Sequence, residues 1–333
     1  MSGRHEALLA LIADGALHSG ADLAAALGVS RAAVWKLVGE LRGYGVPVIS
    51  LPRSGYRLPR PVELLDADRI ARALEARGWA PGQQRLEVLF EAESTNTWLY
   101  DASAPAPGQP RIVFAELQQA GRGRRGRAWL APFGSGLTFS ISWTFADAPA
   151  GLPALGLAVG VGVAEALRGL GLEDAQVKWP NDLVWRGRKL GGLLLQLRAE
   201  SGGPANVVAG LGINVALPQD ARASLDVPGA QPVTDLAEAL EGPPPGRNEL
   251  AAVLAAAMLD TFDEFARHGY APFARRWGAL DALVGRRVQV ALADTSVVGE
   301  ACGADADGAL LVRVGGEMQR FHSGDVSLRS VQS

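Results

Sequence analysis

Four arginines and three glycines interleave from Gly121 to Arg127, inside the stretch QQAGRGRRGRAW. Guanidinium groups fork onto carboxylate and phosphate oxygens, and glycine lets backbone N–H groups approach the same oxyanion. The chain as a whole is formally −3, with 32 Lys and Arg against 35 Asp and Glu. A basic, glycine-rich loop on a slightly acidic protein reads as a lid for an anionic ligand. It should be self-repelling and poorly ordered until that ligand neutralises it. The run GRGRRG also satisfies G-x-G-x-x-G, but the dinucleotide fingerprint needs glycines that lead from a strand into a helix. Here RIVFAELQQ reads as a strand, while Pro132, Gly134 and Gly136 forbid a helix afterwards. No G-x-x-x-x-G-K-[ST] phosphate loop occurs.

Three further constellations carry polar groups between β-like runs. LFEAESTNTWLYDAS runs strand, turn, helix, with Ser94, Thr95 and Asn96 at the helix start, where capping by Thr95 or Asn96 would suffice to explain them. VKWPNDLVWRGRKLGGLLLQL reads as two successive hairpin turns, at Pro180–Asp182 and at RGRK. VVAGLGINVAL is an apolar strand with Gly210 and Gly212, ending at Asn214.

These segments need a frame. Residues 4–60 read as three helices and a hairpin, a winged helix-turn-helix. Ser19 and Ser30 are placed as N-caps, Asp22 as the reciprocal acid, Gly28 in the turn and PRSG at the hairpin tip. Arg31, Trp35 and Lys36 fall in the first turns of the third helix, where a recognition helix faces DNA, and Arg53 lies at the tip of the wing. Through Arg60 there are seven basic and four acidic residues, so this head is +3 and the remainder −6. That asymmetry is the footprint of phosphate-backbone binding, although a helix-turn-helix also serves in protein contacts. LPRPVELLDADRI, with two prolines, reads as a linker. The last fifty or so residues read as five short strands broken by Asp-Gly and Gly-Gly turns.

Composition bounds the class. With 333 residues and 48% hydrophobic content the chain supports two or three domains with a proper core. One cysteine, Cys302, excludes an internal disulfide, and the four histidines show no zinc-ligand spacing. The N-terminal segment meets charge too early for a signal peptide. The longest apolar run, LPALGLAVGVGVAEAL, is shorter than the roughly 20 residues of a membrane span. A soluble, cytoplasmic protein without a membrane partner is expected.

Taken in order behind a winged helix, STN, QQAGRGRRGRAW, KWPND, RKLGG and GLGINV resemble the bifunctional bacterial biotin–protein ligases that also repress the biotin operon, over essentially the whole chain. The resemblance implies an α+β multidomain protein. Its parts are a winged helix (1–60), a linker (61–66), a mixed-sheet catalytic domain related to class II aminoacyl-tRNA synthetases (67–281) and an SH3-like C-terminal barrel (282–333). It implies that biotin and ATP react to biotinyl-5′-AMP with Mg²⁺ as activator, and that the acyl group passes to a lysine of the biotin carboxyl carrier protein of acetyl-CoA carboxylase. No tightly bound cofactor is implied. The other partners are operator DNA and a second copy of the chain, in a dimer promoted by the adenylate.

The same resemblance puts Ser94, Thr95, Asn96 and Gln118 around biotin, and closes Arg122, Gly123 and Arg124 on its carboxylate and the phosphate. Lys189 belongs at the carboxylate and its acyl-phosphate product. Arg122, Arg124, Arg127, Trp129, Lys178, Asn181 and Asn214 belong to the nucleotide. Lys189, Arg124 and Asp182 would carry the chemistry, Asp182 either as a Mg²⁺ contact or by orienting the incoming lysine. One departure stands out: residues 216–236 contain no aromatic side chain to stack on adenine, so either an aliphatic group such as Val233 covers the ring or adenine is held more loosely. Two other functions share these features, a transcription factor that only senses biotin and a ligase for a related acid such as lipoate.

Overall fold

The computed structural model describes residues 3–80, 82–199, 203–225, 231–291, 295–322 and 327–330. The head comprises α1 (Gly3–Ile12), α2 (Gly20–Leu27) and α3 (Arg31–Gly43), followed by the hairpin β1 (Ile49–Leu51) and β2 (Gly55–Arg57). The caps are where their side-chain chemistry requires them. Ser19 Oγ accepts from the Asp22 N–H at 3.1 Å and Ser30 Oγ from the Ala33 N–H at 3.2 Å. The Asp22 carboxylate in turn accepts the Ser19 hydroxyl at 2.8 Å. Gly28 closes α2 in the left-handed region at φ +63°. His18 adds a third segment to the wing, on the other side of β2, by exchanging both backbone hydrogen bonds with Tyr56.

The central unit follows as α4 (Ala67–Glu75), β3 (Arg85–Ala92), α5 (Thr95–Asp101), β4 (Arg111–Gln118), β5 (Gly136–Phe145), α6 (Leu155–Gly169), β6 (Ala175–Lys178), β7 (Asp182–Trp185), β8 (Arg188–Ala199), β9 (Ala205–Asn214), α7 (Gln219–Leu225), α8 (Leu236–Ala239), α9 (Arg247–His268) and α10 (Ala271–Leu280). Its seven strands form one mixed sheet in the order β3-β4-β5-β9-β8-β7-β6, parallel only between β3 and β4. Period-two alternation divides the sheet into two faces. Leu137, Phe139 and Ile141 of β5 pack into the apolar core with α4, α6, α9 and α10, and Thr138 and Ser140 point to the other side.

By length and composition alone, Leu152–Gly169 resembles a membrane span. In the structure its helical part is a core element, with Leu157, Val159, Val161, Val163 and Leu167 all buried against the sheet and against α9 and α10.

Residues 61–66 have no regular secondary structure, yet they are strapped down. Glu116 and Arg247, 5% and 6% exposed, pair at 2.7 Å beneath them. Glu116 also accepts the Leu65 N–H at 2.5 Å, Arg247 donates to the Glu63 carbonyl, and Asn248 donates to that of Leu64. The head itself rests on the central unit, since Leu117 and Phe133 belong to the same apolar cluster as Leu9, Val38 and Leu58. Arg60 donates to the Ala216 carbonyl at 2.7 Å.

The C-terminal strands β10 (Arg287–Ala291), β11 (Ser296–Ala304), β12 (Leu310–Val314), β13 (Glu317–Phe321) and β14 (Ser327–Ser330) form one antiparallel sheet in the order β13-β12-β11-β10-β14. Five strands are those expected, with turns at Asp307-Gly308 and Gly315-Gly316. This unit is tied to the central one by a buried hydrogen bond, 3.0 Å, from the Trp179 indole N–H to the Gly308 carbonyl.

Candidate active site

The polar face of the sheet opens into a cavity of about 1060 Å³, at the upper end of the range for ligand pockets and large enough for two substrates. Its floor is β5, β9 and β8, and glycines keep that floor low. A Cβ on Gly212 would lie 2.4 Å from the Trp129 ring, and one on Gly210 would lie 2.9 Å from Asn96 Nδ2. The GLG of β9 is thus required by what lies over it.

One end is neutral. Ser94 stands at the N-cap of α5 but makes no side-chain cap, and neither Thr95 nor Asn96 caps it. The Thr95 N–H instead donates to Gln118 Oε1 at 2.8 Å, and its hydroxyl lies 2.9 Å from Ser140 Oγ. Asn96 is 3% exposed; its Nδ2 donates to the Leu194 carbonyl at 3.0 Å, and its Oδ1 has no partner. An orphaned, buried acceptor costs about 1–3 kcal/mol unless a ligand supplies a donor.

The other end is charged. Lys189 on β8 and Asp182 on β7 pair at 2.6 Å, half-buried, with Lys189 Nζ 5.8 Å from the centre of the Trp129 ring. Lys178 donates to Gln231 Oε1 at 2.7 Å. Asn181 is fixed on both sides of its peptide, its Nδ2 donating to the Leu193 carbonyl and its own carbonyl accepting the Leu193 N–H. Asn214 Nδ2 donates to the Thr234 carbonyl.

The arginine loop lies between these ends. In the structure it forms a small ladder closed by Gly123 N–H to Arg127 carbonyl and Trp129 N–H to Gly121 carbonyl. A strand follows it and not a helix, as Pro132 and the glycines require. Arg125 takes the left-handed region at φ +58°, a conformation that costs an L-residue about 1–2 kcal/mol. Arg124 Nη1 reaches Asn181 Oδ1 at 3.5 Å. Burial and then its neighbour Arg125 lower the pKa of the Arg124 guanidinium below the usual arginine range, with Asp182 acting in the opposite sense.

All fourteen cavity residues expected from the sequence, from Ser94 to Asn214, line this one space. Sequence reasoning missed Thr138, Ser140, Gln176, Gln231 and Arg286, which also line it. A signal for the first two was present: Thr138, Ser140, Ser142 and Thr144 place a polar group at every second position of an otherwise apolar strand. Val233 lines the cavity beside Lys189, held there because Lys189 N–H donates to the Pro232 carbonyl and Thr234 N–H to that of Lys189. In the head, Trp35 is 71% exposed on α3, together with exposed Arg31, Lys36 and Arg53.

Known proteins place this architecture. The sequence profile of the Biotin/lipoate A/B protein ligase family matches residues 90–214, an HTH domain matches 4–57, and the Biotin protein ligase C terminal domain matches 283–329. The Bifunctional ligase/repressor BirA of Salmonella typhimurium is 41% identical over 98% of this chain and 97% of its own length. The chain belongs to the bifunctional biotin ligase/repressors. The Escherichia coli protein of the same name is 39% identical over the same shares of both chains. Among solved structures, the biotin protein ligase from Aquifex aeolicus in complex with biotin and ATP superposes on this ligase/repressor with a TM-score of 0.61. The match has 25% identity and covers 74% of this chain and 99% of that one.

Proposed function

We propose that this ligase/repressor activates biotin with ATP, transfers the biotinyl group to a lysine of the carrier protein of acetyl-CoA carboxylase, and represses biotin synthesis as a DNA-bound dimer. The observation that carries the reading is one cavity with two unlike ends, the orphaned acceptor of Asn96 at one and the Lys189–Asp182 pair with Arg124 at the other. Biotin matches this polarity. Its ureido ring offers N–H donors and a carbonyl to Asn96, Ser94, Thr95 and Gln118, and its carboxylate extends towards the charges.

In the first step a carboxylate oxygen attacks the α-phosphorus, the bond to the β-phosphate breaks, and pyrophosphate leaves. Lys189 and Arg124 stabilise charge on the oxygens of the transition state. Arg122 and Gly123 hold the loop against the acyl phosphate. Arg127, Trp129, Lys178, Asn181 and Asn214 take the nucleotide, with Val233 covering the adenine in place of an aromatic ring. In the second step the carrier's amine attacks the acyl carbon and AMP leaves, with Asp182 orienting the amine.

Among the described residues no three carboxylate, histidine or cysteine groups cluster as metal ligands. The donor set, Asp182 alone, fits a Mg²⁺ ion that arrives on the triphosphate and neutralises its charge. We read the seven-stranded sheet as the class II synthetase type and the C-terminal strands as an SH3-like barrel. The boundaries proposed are 1–60, 61–66, 67–281 and 282–333. Arg31, Trp35, Lys36 and Arg53 meet operator DNA. The adenylate-bound chain dimerises, and the protein works in the cytoplasm.

The test is α-labelled ATP with Mg²⁺ and biotin but no carrier. Labelled biotinyl-AMP formed with biotin and not with lipoate is expected. Its absence, with biotin still bound, would leave a sensor and not an enzyme. Ultracentrifugation with and without the adenylate tests the dimer, and an unchanged sedimentation would remove that part.

A further inference from the structure

We infer that Arg286, delivered to the cavity by the C-terminal unit, binds the β- and γ-phosphates of ATP and then the departing pyrophosphate. The inference rests on the ligase reading above and extends it to a residue outside its motifs.

The chain leaving α10 runs beside the edge strand β6. Asp281 bridges to Val177 in parallel fashion, and the Ala282 N–H donates to the Val177 carbonyl at 2.8 Å. A tight turn follows, Arg286 N–H to Leu283 carbonyl at 2.9 Å, with Gly285 in the left-handed region at φ +74°. β11 pins this turn from behind, where Gly285 N–H donates to the Ala301 carbonyl and Ala301 N–H to that of Arg286. Both backbone polar groups of Arg286 are therefore fixed, and the residue lines the cavity, as do Lys178 and Gln176 of β6.

Charge and distance assign the ligand. Lys189 is paired with Asp182 and Arg122 with Glu93, whereas among the described residues no carboxylate pairs with Arg286. The neutral end runs from Gln118 on β4 and Ser140 on β5 to Asn96, which reaches Leu194 on β8, whereas Arg286 follows the segment that bridges to the edge strand β6. At about 4.8 Å per strand, Gln118 and Ser140 are on the order of 20 Å from β6, so Arg286 stands at the side of the cavity away from them. The α-phosphorus must sit midway, by Lys189 and Arg124, where the carboxylate attacks. Trp129, Val233 and Asn214 mark the nucleoside direction, so the remaining phosphates are left with Lys178 and Arg286. A guanidinium is suited to that tail and not to an uncharged purine edge.

The two half-reactions separate this role from others, because biotinyl-AMP no longer carries the pyrophosphate. With full-length Arg286→Ala, the KM for ATP in adenylate formation should rise at least about tenfold. The pyrophosphate concentration that half-reverses bound adenylate to ATP should rise in parallel. Transfer from preformed biotinyl-AMP to the carrier should stay within about twofold, Arg286→Lys should recover part of the ATP affinity, and Arg287→Ala should behave as wild type. An unchanged ATP KM would overturn the assignment. So would slowed transfer with normal adenylation, which would place Arg286 on the carrier protein, and so would equal loss in both steps, which would make it structural. A wild-type protein that forms no adenylate at all would instead defeat the ligase reading.

Discussion

Lys189 Nζ and Asp182 Oδ1 meet at 2.6 Å across neighbouring strands, on the floor where the acyl transfer is proposed to occur. The pair holds the lysine ammonium over the floor of the cavity. An arriving carboxylate competes with Asp182 for the ammonium, which the 2.6 Å contact already aims into the cavity. Lys189→Ala should lower single-turnover adenylation on the order of a hundredfold to a thousandfold, with an unchanged circular dichroism spectrum. A near-normal rate would remove Lys189 from the chemistry.

Arg124 is held in the loop by the Gly123–Arg127 closure and reaches Asn181 across the cavity. Replacing it by glycine removes the side chain that joins the loop to Asn181. Labelled biotinyl-AMP should then leave the protein about tenfold or more faster in a filter-binding chase. Slower release than wild type would contradict the lid.

Gly212→Ala puts a methyl group 2.4 Å from the Trp129 ring, closer than atoms can approach. The ring must move off the floor. We expect about 1–3 kcal/mol of lost stability in urea unfolding, together with a higher KM for ATP. If stability fell while the KM held, the ring would have a packing role only.

Local chemistry was legible in the sequence and long-range delivery was not. Ser19, Ser30 and Gly28 announce the helix-turn-helix because caps act within three residues of themselves. The hairpins around Asn181 and Gly187 are equally local. The cavity ends were legible because their residues sit within compact motifs. Arg286 was not, since its place depends on a backbone bridge between Asp281 and Val177 that no short-range pattern encodes. Residues 61–66 read as a linker because prolines forbid a helix there, and nothing nearby announces Glu116 and Arg247 beneath them.

That buried pair gives a stability test. Arg247→Met leaves the Glu116 carboxylate enclosed without its cation, at a cost of about 3–5 kcal/mol. Adding Glu116→Gln to the same chain should recover part of that loss, because the stranded charge goes. Chemical denaturation of the single and double variants measures it, and identical midpoints would mean that lost packing alone is responsible.

Arg31 and Lys36 stand exposed on α3. If each contacts a phosphate, replacing either by alanine should reduce the slope of log affinity against log salt by about one. Equilibrium binding to duplex DNA at several salt concentrations gives the slope. Unchanged slopes in both variants would move the DNA contact elsewhere on the head.

The hydrogen bond from Trp179 to Gly308 spans 129 residues. A ribosome adding about 5–20 residues per second finishes the Lys178–Asp182 turn several seconds before it makes the acceptor for that indole. During this interval the turn is held by Leu193 and not yet by Gly308, and Arg286 is missing or newly made. A chain that stops short of Gly308 therefore lacks the bond that ties this turn to the C-terminal unit, even when its motifs are all present.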